Sequence, residues 1–299
     1  MNWYSKYQKE WKQIIETVSN ELKISTTMIE KDIIQSMFLC NLSKSDLPFV
    51  FKGGTSLSKG YQLINRFSED LDLSASRKLS QSERKESKKI IKQVGDSLGL
   101  TLTNEKDVFS NHLYNKYVFN YHSLFNDFPL EILVETSFFL VAYPYNNIQI
   151  QNYVSEYCSI NNIKLPIPFD ASNFNMNVQT LERTYVDKIF AVCDYRIQDL
   201  QERDSRHLYD IAKLSGKVQF NNDLKVLFNK VRKDRLALKN NPSSQDQYNI
   251  HSLLIDICNN NFYKNDYNSI TIKLLYEDYP YDKALKNGLK KLIDSKILI

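Results

Sequence analysis

The chain has 299 residues, 42% of them hydrophobic and 25% charged, and its 39 Lys and Arg against 35 Asp and Glu leave a formal charge of +4. This is a soluble globular composition, enough for one large or two moderate domains, and the mild charge neither demands nor excludes a nucleic-acid partner. No run nears the roughly twenty apolar residues of a membrane span, Met1–Gln8 does not read as a signal peptide, and the scattered Cys40, Cys158, Cys193 and Cys258 form no C-x-x-C or Cys/His group. A disulfide framework, structural zinc and membrane insertion are therefore excluded, and a cytoplasmic protein with free thiols is expected.

In chain order, residues 3–23 and 26–43 read as amphipathic helices, with Ile14, Ile15, Val18 and Leu22 at helical spacing and Ser25 or Thr26 as a cap. Pro48–Phe51 is a short apolar run, expected to be a buried strand ending at Gly53-Gly54. A helix over 55–64 and a strand over 69–74 follow. Segment 80–98 opens with the capping-box pair Ser80 and Glu83 and reads as helix. From about 100 to 150 the β-branched and aromatic content rises, most strongly over 129–140, which predicts strands. Pro166-Ile167-Pro168 is the expected domain boundary. Beyond it, 178–198, 204–215, 222–239, 246–260 and 267–296 favour helix. The chain thus reads as α+β: a mixed sheet with flanking helices over 1–168, then an α-helical domain over 169–299.

Two stretches carry chemistry. With only 7 glycines in the chain, the adjacent Gly53-Gly54 stands out; it permits positive φ and close approach of a phosphate to the backbone, while Thr55 and Ser56 offer hydroxyls. The spacing is not that of a Walker A loop, so a P-loop NTPase is excluded. About fifteen residues later, Asp70 and Asp72 alternate with Leu71 and Leu73, which puts both carboxylates on one side of a strand. Two like charges that close repel unless a cation neutralises them. A third carboxylate for a metal site is Glu135, with Glu131 on the same face by parity as the alternative. An edge-strand Asp-x-Asp facing solvent, a plain strand-to-helix turn and a rim glutamate are the ordinary alternatives.

Further on, Lys188 lies beside the apolar side of a helix, where a lysine often snorkels to solvent. The run from Arg203 through His207 to Asp210 alternates charge like a solvated helix face; His207 with Asp210 is weak grounds for zinc.

Lys52-Gly53-Gly54-Thr55-Ser56-Leu57 and Phe67-Ser68-Glu69-Asp70-Leu71-Asp72-Leu73 resemble the first motifs of the AbiEii/AbiGii nucleotidyltransferase toxins. That family is a branch of the polymerase-β-like nucleotidyltransferases that also includes the MenT toxins. Lys188 resembles the motif lysine of the helical half, and Ser205–Asp210 the closing motif. The resemblance spans roughly 45–215. It implies a polymerase-β-like core, an NTP held by Lys52, Gly53, Gly54, Thr55, Ser56, Arg66, Ser68 and Lys188, and magnesium (manganese as the alternative ion) on Asp70, Asp72 and Glu135. It places Asp70, Asp72, Lys188 and Asp210 among the catalytic residues. The third carboxylate of such enzymes is usually Asp, so Glu135 is a departure. The resemblance also implies a toxin of a toxin–antitoxin or abortive-infection system, a winged-helix repressor as antitoxin with or without direct binding, and transfer of NMP to RNA, above all the tRNA 3′ end.

Two basic segments bear on an RNA acceptor: Arg77, Lys78, Arg84, Lys85, Lys88, Lys89 and Lys92, and Lys225, Lys230, Arg232, Lys233, Arg235 and Lys239. Arg84/Lys88, Lys85/Lys89 and Lys88/Lys92 are i,i+4 like-charge pairs, costly unless an anion binds. The competing readings are transfer of a nucleotide or phosphoryl group to a protein side chain, and a non-catalytic nucleotide- or RNA-binding regulator. A nuclease centred on Arg203 and His207 fits poorly, because the spacing is too short.

Overall fold

The computed structural model describes residues 2–108, 113–165, 167, 169–202, 204–238 and 240–299. Contacts divide the chain into two compact units: residues up to Tyr61 with Glu69–Val178, and Gln62–Ser68 with Gln179–Ile299.

The first unit holds a mixed seven-stranded sheet in the order β3-β4-β5-β2-β1-β7-β6. Its strands are β1 (Phe49–Lys52), β2 (Asp70–Ala75), β3 (Thr101–Leu102), β4 (Tyr114–Tyr121), β5 (Leu130–Ser137), β6 (Tyr145–Ile150) and β7 (Phe174–Gln179). β1 runs antiparallel to β2 and parallel to β7, β2 is parallel to β5, and β5 is antiparallel to β4. The helices are α1 (Asn2–Ser5), α2 (Gln8–Leu22), α3 (Thr26–Ser43), α4 (Gly53–Lys59), α5 (Gln81–Leu98) and α6 (Tyr153–Ile160). α3 is capped by Ser25, whose Oγ accepts from the Met28 amide. Both halves of the Ser80/Glu83 capping box form at α5, and Gly99 ends that helix in the left-handed region.

α3 is buried nearly all round: Ile29, Ile33, Ile34, Phe38 and Leu39 have no exposed surface. Its charged side chains are therefore partnered internally. Glu30 accepts from the Tyr4 and Ser123 hydroxyls and the Leu124 amide. Asp32 pairs with Lys59 of α4, which also donates to Ser36 Oγ. Burial pulls the Lys59 ammonium down from its ordinary pKa, and Asp32 opposes that pull. This contact pins the short helix that follows the glycine turn.

Two expectations change. The helix expected over 55–64 starts at Gly53 and stops at Lys59. The helix expected from 178 is preceded by β7, in which Met176 and Val178 are buried and Val178 pairs with Phe51 of β1. The alternation Asn175-Met176-Asn177-Val178 carried that strand, which joins the sheet of the first unit.

The regular elements that lie wholly within the second unit are helical: α7 (Leu181–Ile197), α8 (Arg206–Leu214), α9 (Asn222–Arg235), α10 (Ile250–Asn259), α11 (Lys264–Asp266), α12 (Ile272–Leu274), α13 (Tyr281–Leu285) and α14 (Lys291–Asp294). π-helical turns lie at Tyr267–Thr271 and Lys286–Lys290. The single helix expected over 267–296 is therefore broken. Leu275 is extended and bridges to Arg66, the Tyr276 amide donates to the Asn65 carbonyl, and Pro280 precedes the restart at Tyr281. Among the described residues, no helix is long and apolar enough to cross a membrane.

Candidate active site

The turn after β1 is built for close approach. Gly53 has φ +78°, and a Cβ there would fall 2.0 Å from Asp72 Oδ2. Glycine is thus required both by the backbone and by the carboxylate packed against it. The neighbouring hydroxyls are engaged by the main chain. Thr55 Oγ1 donates to the Asp70 carbonyl at 2.6 Å and Ser56 Oγ to the Gly53 carbonyl at 2.8 Å, and the two residues are 1% and 0% exposed. Buried hydroxyls satisfy main-chain acceptors first, so Thr55 ties the turn to β2 and Ser56 closes it.

In β2 the alternation holds: Leu71 and Leu73 are fully buried, while Asp70 and Asp72 are half-buried on the opposite face. Register then aligns a row across four adjacent strands. Lys52 pairs with Asp72, Asp72 with Glu135, and Glu135 with Lys116. The row reads plus, minus, minus, plus. Glu135 is half-buried, and Lys116 Nζ lies 3.5 Å from its Oε1. Burial raises the Tyr114 phenol pKa, and the charges of Glu135, Asp72 and Asp70 add to it, so one hydroxyl senses all three carboxylates. Glu131 shares the parity but is exposed and pairs with Asn120, beyond the β2 register.

Among the described residues no three His, Cys, Asp or Glu side chains are arranged to hold a metal. Asp70 and Asp72 alone are still a donor set that suits magnesium, a hard ion that takes one or two carboxylates and completes its shell with water and phosphate oxygens.

In the second unit Arg66, Lys188 and Asp210 form a buried cluster, 3%, 6% and 0% exposed. Arg66 forks onto Asp210 with Nε–Oδ1 and Nη2–Oδ2 both at 2.7 Å, and its Nη1 donates to the Phe67 carbonyl. Lys188 Nζ reaches Asp210 Oδ2 at 2.7 Å and His207 Nδ1 at 3.3 Å. Lys188 therefore does not snorkel, and the fork of Arg66, a residue expected at the nucleotide, lies on Asp210. Burial would raise the Asp210 carboxyl, but the Arg66 and Lys188 charges override it and hold the group well below the usual range. Loss of solvent, then the Lys188 charge, depresses His207, so the ring next to Lys188 is neutral. It stacks on Tyr195 at 6.2 Å. With one carboxylate between two cations, the cluster keeps a positive charge in excess. Arg203 lies outside the described residues. Ser68 is half-buried.

The basic segments are largely occupied. Arg84 donates to the Leu79 carbonyl, Lys88 to the Val108 carbonyl, and Lys92 and Arg77 pair with Glu105 and Glu83. The expected like-charge repulsion along α5 is thus dispersed locally; Lys89 pairs with Glu86, and Lys78, Lys85 and Lys89 are exposed. In α9, Arg232 donates to the Ser244, Gln245 and Tyr248 carbonyls and Arg235 is buried against Asp194. Two surface cavities, about 590 Å³ around Cys158 and Phe169 and about 350 Å³ around Arg196 and Phe262, are lined by none of the predicted site residues.

A family model described as nucleotidyl transferase AbiEii toxin, type IV TA system, matches residues 38–287. Two solved structures resemble the chain. JHP933 from Helicobacter pylori is 19% identical over 92% of each chain with a TM-score of 0.47. A candidate nucleotidyltransferase from H. pylori is 18% identical over 92% of this chain and 95% of its own, also with a TM-score of 0.47. No curated protein matches.

Proposed function

The chain belongs to the AbiEii family of nucleotidyl transferase toxins of type IV toxin–antitoxin systems, and from that premise we propose that it transfers NMP from an NTP to an RNA acceptor, the tRNA 3′ end first. Membership implies a nucleotide substrate and an antitoxin partner. The observation that carries the reading is the pair Asp70 and Asp72, side by side on the accessible face of β2 with Asp72 packed against Gly53.

In this reading Asp70 and Asp72 hold magnesium. When bound, the ion supplies charge neutralisation at the α-phosphate and the leaving pyrophosphate. The chain's own residues do the rest. Lys52, beside Asp72 in the row, draws phosphate oxygens to the turn. Gly53 and Gly54 let the triphosphate approach the backbone, and Thr55 and Ser56 keep that turn rigid, which lowers the cost of ordering the substrate. Lys188, the motif lysine of the resemblance, is held within the second unit by Asp210, which Arg66 fixes in turn. An acceptor hydroxyl attacks the α-phosphorus and gives its proton to solvent, the bond to the bridging oxygen breaks, and pyrophosphate leaves with the electron pair. The exposed Lys78, Lys85 and Lys89 of the first basic segment offer modest support for an RNA acceptor.

The test offers each α-³²P-labelled NTP separately, with magnesium and total bacterial RNA, to wild type and Asp70→Ala. The expected result is label in a tRNA-sized band from wild type alone, and the labelled NTP names the base. Label on protein instead would move the acceptor to a side chain. No label, with NTP binding intact, would favour a non-catalytic regulator.

A further inference from the structure

The sheet face that carries Asp70 and Asp72 continues past β1. Val178 of β7 pairs with Phe51, so Asn177, one residue earlier, shares the face of Lys52 and, through Lys52, that of Asp72. By the same period of two, Asn173 and Asn175 point to that side as well. Beside β7 stands β6, at the end of the strand order. Asn147 Nδ2 of β6 donates to Asn177 Oδ1 at 3.0 Å, and Gln149 Nε2 to Asn173 Oδ1 at 2.9 Å. Asn175 Nδ2 donates to Asn147 Oδ1 at 3.4 Å. The amides thus form one network on the two strands, with Asn177 half-buried and the others exposed. No Asp, Glu, Lys or Arg occurs from Thr136 to Ser155 or from Ala171 to Leu181, in a chain that is 25% charged. A surface that grips phosphate needs cations, and this one has none of its own. An amide instead presents N–H donors beside a carbonyl acceptor, the pairing that base edges offer. Each amide has two N–H groups and two carbonyl lone pairs, so the three bonds orient the network and leave most of its capacity outward. Tyr145, on the Asn147 side of β6 by period, packs edge-on with Tyr143 at 6.4 Å, and Tyr143 is 53% exposed. Aromatic rings next to amide groups suit unstacked bases.

We propose that the amide face of β6 and β7 binds the bases of a single-stranded RNA segment whose 3′ end is the acceptor at Asp70 and Asp72. The inference rests on the RNA-acceptor reading above and adds the surface that reads the bases. Asn177 lies two strands from Asp72, roughly 10 Å across the sheet, which a short single strand spans. Neutral amides displace no counterions from RNA, so their share of the affinity does not fall with salt.

The experiment follows the fluorescence anisotropy of a labelled single-stranded oligoadenylate RNA mixed with the full chain, without NTP or magnesium, over a series of KCl concentrations. Adenine is the base whose edge an Asn or Gln amide matches with two hydrogen bonds. Asn147→Ala/Gln149→Ala and Asn175→Ala/Asn177→Ala each weaken binding roughly tenfold, the size of one lost amide–base pair. The slope of log affinity against log salt stays that of wild type. Thermal melts accompany every protein, and Asn147→Ser/Gln149→Ser or Asn175→Ser/Asn177→Ser replaces a double variant that unfolds. Affinity within about twofold of wild type, or a shallower slope, which marks a phosphate contact, overturns the proposal while the transfer reading stands. So does a wild-type dimer that Asn147→Ala/Gln149→Ala dissociates, because β6 then pairs with a second copy. Absence of wild-type binding to the probe overturns the proposal too, and if labelled bulk tRNA also fails to bind, the RNA acceptor falls with it.

Discussion

The acidic row of the first unit and the basic cluster of the second are made from the same residue types and use them in opposite ways. Asp70, Asp72 and Glu135 are half-buried on a sheet face, while Arg66, Lys188 and Asp210 are sealed at 6% exposure or less. Charge in the open reaches a ligand without first being desolvated. Buried charge must be matched where it lies, and removing one partner exposes the full cost of the others. The row should therefore answer mutation with loss of chemistry, and the cluster with loss of fold.

The largest expected effect is on the row: Asp70→Ala or Asp72→Ala lowers NMP transfer by roughly a thousandfold or more. Urea unfolding of the same proteins stays within about 0.5 kcal/mol of wild type, as for other surface substitutions. Full activity in either variant would remove the row from the chemistry.

Asp210→Ala inverts that pattern. It leaves Arg66 and Lys188 buried without their shared carboxylate, and destabilisation of about 3–5 kcal/mol is expected by urea unfolding. A well-folded Asp210→Ala protein would show that the cluster is solvated in solution. Lys188→Met sharpens the contrast within the cluster, because Asp210 keeps Arg66 and no buried charge is orphaned. Stability holds within about 1 kcal/mol, while transfer falls roughly ten- to a hundredfold, as the catalytic part that the family resemblance gives the motif lysine implies. Unchanged kinetics would make Lys188 purely structural.

The smallest effect is on pH. His207 has its pKa depressed in the folded state, so below its ordinary value of about 6.5 the unfolded chain binds a proton that the folded chain refuses. Its contribution is present above that pH and is lost as pH falls toward the folded-state value. Between about pH 6 and 5 wild type should lose about 1 kcal/mol per unit relative to His207→Gln, less than the full one-proton slope because the ring keeps some solvent. Parallel pH profiles for the two proteins would contradict the neutral, packed imidazole.

The local features were legible in the residues, and the distant ones were not. The period of two put Asp70 and Asp72 on one face and gave Glu135 its parity, and the Ser80/Glu83 box marked the start of α5. Lys116 escaped notice, and Lys52 was named for the nucleotide but not as the neighbour of Asp72, because their place beside Glu135 and Asp72 depends on register between strands. The Arg66–Asp210 fork joins residues 144 apart in the chain, and no local pattern announces it. Arg66 and Lys188 were both read toward the nucleotide, and their common partner Asp210 was not visible from the sequence. The main-chain bonds of Thr55 and Ser56 were equally hidden: small hydroxyl residues after a glycine pair suit a ligand and a tight turn alike, and only the structure shows them buried against the turn.

The most direct test of nucleotidyl transfer uses one NTP labelled in turn at the α and the γ phosphorus, with bacterial RNA, bacterial protein and magnesium present. The predicted result is α label on RNA and γ label in free pyrophosphate, both absent with Asp70→Ala. Label from the γ position on any acceptor would make the reaction phosphoryl transfer and contradict the account.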